Sequence, residues 1–186
     1  MRFTVSLFAA LLLAVCSFGQ TTPAPTELPG YSVQVLAGYS LVTGAGNNNG
    51  FFSSVAVPAW HNKSNSLAVQ ARADYFSINK PSSYYVGGGP EFRYAFAKPT
   101  IFNGQVFEPF ADVQIGAAET SDPATGNPTG TKHFALKVGG GLDTVLKGNV
   151  TWRLFQVDWI HSTIYPGNGI VLSNFAQIST GIGIRF

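Results

Sequence analysis

The chain closes with Gly181-Ile182-Gly183-Ile184-Arg185-Phe186, and the reading of these six residues decides the fold. Apolar residues alternate with small or charged ones, which is the period of a β-strand whose successive side chains point to opposite faces. Ile182, Ile184 and Phe186 take one face; Gly181, Gly183 and Arg185 take the other. An apolar face ending in an aromatic, set against a polar face, suits a barrel strand with lipid outside and a polar lumen inside.

The start of the chain agrees with export. Arg2 precedes the apolar run 3–15, and Ser17-Phe18-Gly19 supplies the small residues of a cleavage site. That run is too short to span a bilayer as a helix. Residues 1–19 are therefore expected to be a signal peptide, with Gln20 as the mature start. Val15 stands before Cys16 where lipidation requires a small residue, which disfavours a lipoprotein. Cys16 is the single cysteine, so the mature chain is expected to form no internal disulfide. Residues 20–30 (QTTPAPTELPG) read as an extended periplasmic leader.

Composition narrows the class. Charged residues make up 11% of the chain, against about 25% in an ordinary soluble domain, so part of the surface is expected not to face water. A net charge of +2 offers nothing for nucleic acid. Residues 31–186 suit one domain, and they divide into eight alternating segments at 31–42, 51–60, 66–76, 84–96, 106–117, 133–143, 150–161 and 175–186. Each approaches or slightly exceeds the length a tilted membrane strand needs. The expectation is an all-β, eight-stranded up-and-down antiparallel transmembrane β-barrel in a bacterial outer membrane.

Parity sharpens it. Leu67, Val69, Ala71, Ala73 and Tyr75 oppose Gln70, Arg72 and Asp74. Val86, Phe92, Tyr94 and Phe96 oppose Glu91 and Arg93. Phe107, Ala111, Val113 and Ile115 oppose Glu108, Asp112 and Gln114, and Phe134, Leu136, Val138 and Leu142 oppose His133, Lys137 and Asp143. A soluble barrel would put the charges outside; a membrane barrel puts them in the lumen. In the seventh segment Arg153 differs in parity from Gln156 and Asp158, so an inward position for all three requires a β-bulge near Leu154-Phe155. The expected lumen network is Arg72, Asp74, Glu91, Arg93, Glu108, Asp112, Lys137, Asp143, Arg153, Asp158 and Arg185. Eight strands leave an interior that side chains can fill, so ion pairing is expected to plug it; a narrow pore is the alternative.

The stretches FALKVGGGLD (134–143), WRLFQVDW (152–159), GGPEFRY (88–94) and EPFA (108–111) resemble the small outer-membrane β-barrel domain proteins, similar to the transmembrane part of outer-membrane protein A and in the version found in acidobacteria. The resemblance implies a structural or interaction role, outer-membrane lipids as partners, and Phe186 as a signal for the barrel assembly machinery. The larger relatives' peptidoglycan-binding domain is not expected after this barrel. A monomer without cofactor or metal is expected.

One enzyme reading needs weighing. Lipid A deacylases are also eight-stranded barrels with a His, a Ser and an acidic residue near the outer leaflet. His161 and Ser162 sit at an expected external strand end, but adjacent residues on a strand face opposite ways, a poor arrangement for a nucleophile and its base. The chain is therefore expected not to be an enzyme. His61 and His133 show no metal-ligand spacing. Gly87-Gly88-Gly89 and Gly139-Gly140-Gly141 lack the Gly-Lys-Ser/Thr ending and the helix of a phosphate loop. Trp60, Tyr84, Tyr94, Trp152, Trp159 and Phe186 read as interfacial girdle.

Overall fold

The computed structural model describes residues 33–43, 48–62, 67–79, 82–95, 106–121, 128–146, 149–164 and 172–186. The expected signal peptide and leader lie outside the described residues. Eight strands follow one another: β1 (Gln34–Thr43), β2 (Asn48–His61), β3 (Leu67–Asn79), β4 (Ser82–Tyr94), β5 (Val106–Ser121), β6 (Pro128–Val145), β7 (Val150–Ile164) and β8 (Leu172–Arg185). They form a closed barrel in sequence order, every neighbouring pair antiparallel, with β8 returning to β1. Closure leaves no edge of unpaired N–H and C=O groups to face lipid, where each would cost several kcal/mol. The ladder extends past β8: the Phe186 N–H donates to the Val33 carbonyl at 2.9 Å.

The registers set the barrel's shape. From Val35, successive partners are Val55, Ala73, Gly88, Ile115, Leu136, His161 and Asn174. Yet Val35 pairs directly with Ile184, ten residues away from Asn174 along β8. That stagger, spread over eight strands, tilts them about 40° from the barrel axis.

Several strands run beyond their expected ends. β3 and β4 continue to an Asn79–Ser82 pair, and β5 and β6 stay paired through Glu119 and Lys132. The residues past the expected ends are polar, but the cross-strand ladder continues because backbone pairing does not depend on apolar side chains. The bulge in β7 lies at Leu154: Leu142 faces Phe155 while Asp143 faces Arg153. A second irregularity follows Pro58 in β2, a residue that has no N–H for the ladder.

The surface is inverted relative to a soluble protein. Val55, Val86, Val113, Ile115, Val157 and Ile178 are exposed on the outside at mid-strand. Aromatics flank this belt, with Trp60, Tyr94 and Phe186 toward the end holding the chain terminus and Tyr39, Tyr75 and Trp159 toward the distal end. Among the described residues, the charged side chains off the lumen face are Glu119 and Lys132, which oppose each other across β5 and β6 near the distal end. Among the described residues no helix is long and apolar enough to cross a membrane.

Candidate functional site

The lumen is the site that the fold builds. All eleven expected charges lie inside it and are buried, from Glu91, Glu108 and Asp143 at 0% exposure to Arg185 at 8%. Strands β3 to β8 each contribute, because residues two apart share a face and the Leu154 bulge restores the inward parity of Arg153.

Near the terminal end, Arg185 grips Glu108 with two nitrogens, Nη1 to Oε1 at 2.9 Å and Nη2 to Oε2 at 2.8 Å. Arg93 donates to Glu108 at 2.8 Å, to Asp143 at 2.9 Å and to Glu91 at 2.6 Å. Its Nη2 also reaches Gln34 at 3.2 Å. Arg153 binds Asp143 through Nε at 2.8 Å and Nη2 at 3.0 Å, the fork geometry that makes Arg–carboxylate pairs strong.

In the middle and upper lumen, Arg72 joins three strands. It donates to Asp74 at 2.6 Å, to Glu91 at 2.7 Å and to Gln156 at 2.9 Å. Lys137 donates to Asp74 and stands 3.6 Å from Asp158 and 3.8 Å from Asp112. Gln114 donates to both Asp112 and Asp74, and Gln156 donates to Asp158. Five cations face six carboxylates, so the interior is nearly neutral. The buried atoms Asp112 Oδ1, Gln34 Nε2 and Gln177 Oε1 have no hydrogen-bond partner among the described residues. Among the described residues no group of three or more His, Cys, Asp or Glu is placed to hold a metal ion.

Sequence reasoning missed the centrepiece. Phe110 is buried in the lumen, and the guanidinium carbons of Arg153, Arg93 and Arg72 lie 4.2, 5.4 and 5.6 Å from its ring centre. Three cations share one aromatic, each within cation–π range. The signal was present, since Phe110 has the parity of Glu108 and Asp112. Gly141 makes room for this ring, and Gly139 makes room for the Asp158 carboxylate. A Cβ on Gly141 would meet Phe110 at 2.8 Å and the Gln156 backbone at 2.9 Å, and one on Gly139 would strike the Asp158 carboxylate.

His161 and Ser162 diverge. The His161 ring lies along Trp159, centroids 5.8 Å apart, and its Nδ1 is 3.1 Å from the Asn174 side-chain oxygen. Ser162 is fully buried and donates to the Phe134 carbonyl at 3.4 Å.

No family description and no curated protein matches the sequence. Solved structures do match in shape. Neisserial surface protein A superposes with a TM-score of 0.53 at 16% identity, over 84% of this chain and 97% of that one. The fold is that of the small bacterial outer-membrane β-barrels. The outer membrane enzyme PagL (TM-score 0.48, 18% identity, 83% of this chain and 99% of that one) and the N-terminal β-barrel domain of Pseudomonas aeruginosa OprF (0.46, 13%, 83% and 97%) are also similar. At these identities the likeness is one of fold. An outer-membrane barrel carries its termini on the periplasmic side when the strand number is even, so the distal end of this barrel is the external one.

Proposed function

We propose that this outer-membrane barrel is a monomeric, non-enzymatic scaffold with a closed lumen, which holds four external connections at the cell surface. The observation that carries the reading is the lumen network itself. Eleven buried charges, each within reach of an opposite charge, occupy the interior where a pore would need mobile water and ions. Its lipid contacts follow from the apolar belt, and Phe186 is the residue that the barrel assembly machinery would recognise. The test is conductance: purified protein in planar bilayers should give no steady current, and stable openings of porin size would refute the plug.

The divergence of His161 and Ser162 supports the scaffold over a deacylase, because a nucleophile must reach the base that activates it. Incubation with lipid A should release no acyl chain. Deacylation by the native protein that disappears in Ser162→Ala would overturn the non-enzymatic reading.

A further inference from the structure

Above the charge network the lumen changes character. Val42, Phe52, Phe76, Tyr85, Ala118, Ala135, Ile160 and Phe175 are buried together in one apolar cluster, joined by Leu36 from lower on β1. Each of the eight strands supplies at least one of these side chains, so the cluster is a complete ring around the barrel. Cross-strand pairing sets many of its members side by side: Phe52 faces Phe76, Phe76 faces Tyr85, Tyr85 faces Ala118, and Ile160 faces Phe175. The rings close the middle. Phe76 stacks on Tyr85 with centroids 5.3 Å apart and meets Phe175 edge-on at 6.3 Å. Tyr85 also forms the boundary with the charges, its ring 5.8 Å from Lys137 Nζ and its hydroxyl 3.5 Å from Gln114.

We infer that this apolar ring completes the closure that the ion-paired network begins and is its tightest part: a hydrophobic lid at the external end that keeps water and ions from crossing. The ion pairs are a weaker obstacle, for a physical reason. Charged and amide groups can exchange their partners for water, whereas an aromatic-filled constriction excludes water and with it any hydrated ion. Between Arg185 and the lid the β1–β8 wall carries no charge, and apart from Leu36 its large inward side chains are polar. Gln177 donates to Ser179 at 3.0 Å and Ser179 to Ser40 at 3.4 Å, and the Gln177 oxygen and Gln34 nitrogen have no partner among the described residues. That wall is a path along which water can be hydrogen-bonded between the periplasmic mouth and the lid. With six carboxylates against five cations, a passage opened through the lid would favour cations.

The inference rests on the closed-barrel reading, and silence of the native protein in planar bilayers tests that reading separately. Two further variants, each verified as folded by its faster migration in unheated detergent gels, test the lid. Phe76→Ser with Phe175→Ser should produce brief, cation-selective openings. Arg72→Ala with Glu91→Ala, which empties the middle of the network beneath an intact lid, should stay silent. A folded lid variant that is as silent as the native protein overturns the inference. So does steady conductance in the network variant, and this second arm decides the matter if the lid variant does not fold.

Discussion

Replacing Arg153 by Met tests how dry the lumen network is. Arg153 is 1% exposed, holds Asp143 through two nitrogens, donates to Gln156 at 2.6 Å and lies over Phe110. Removing it leaves Asp143 with Arg93 alone and deprives Phe110 of its nearest cation. Breaking a buried pair by removing one partner costs about 3–5 kcal/mol, and because Asp143 keeps Arg93, which it shares with Glu91 and Glu108, the loss should fall at the lower end of that range. A solvated pair would cost about 0–1 kcal/mol. The two regimes are well separated. Adding Asp143→Leu removes the stranded carboxylate, and Arg93 still has Glu91 and Glu108. The double variant should therefore return to within about 1–2 kcal/mol of the native protein, since paired replacement of buried ions by apolar residues is often close to neutral. Urea unfolding of the reconstituted barrel, followed by tryptophan fluorescence, measures all four corners of this cycle. If Arg153→Met lost less than about 1 kcal/mol, or if the double variant were no better than the single one, the network would be a hydrated lumen and not a packed plug.

Gly141→Val should lower stability by about 1–3 kcal/mol through overpacking against Phe110 and the Gln156 backbone, read in the same urea assay, and a neutral result would mean that the Phe110 cluster is loosely packed. Val113→Arg places a charge on the lipid face of β5 and should cost about 2–4 kcal/mol, whereas Lys132→Ala at the distal rim should be silent; equal effects would contradict the position of the belt. Deleting Phe186 should reduce the amount of barrel assembled in the membrane far more than it reduces unfolding stability. The ring faces the lipid side at the barrel's rim, so losing it forgoes at most the roughly 1.5–3 kcal/mol of burying one ring. Normal membrane levels of the truncated chain would count against its role as an assembly signal.

What could be read from the sequence is what depends on neighbours two residues apart. Inward and outward faces follow from alternation, so Arg72 with Asp74, Glu91 with Arg93 and even the displaced parity of Arg153 were legible, and so was the bulge at Leu154. Strand number and closure were legible as well, because an apolar outer face and a polar inner one leave a lipid-exposed sheet no edge. What the sequence does not contain is height. Which side chains meet across the lumen depends on eight pairing registers and on the ten-residue stagger with which β8 returns to β1. Phe52, Phe76, Tyr85 and Phe175 are far apart in the chain, and nothing local marks them as members of one layer. The same holds for Phe110 among three arginines and for Gly141, which leaves room for its ring. Face is a local property of the extended backbone; level is set by long-range pairing. The division of the lumen into a charged lower part and an apolar upper ring was therefore decided only when the sheet closed.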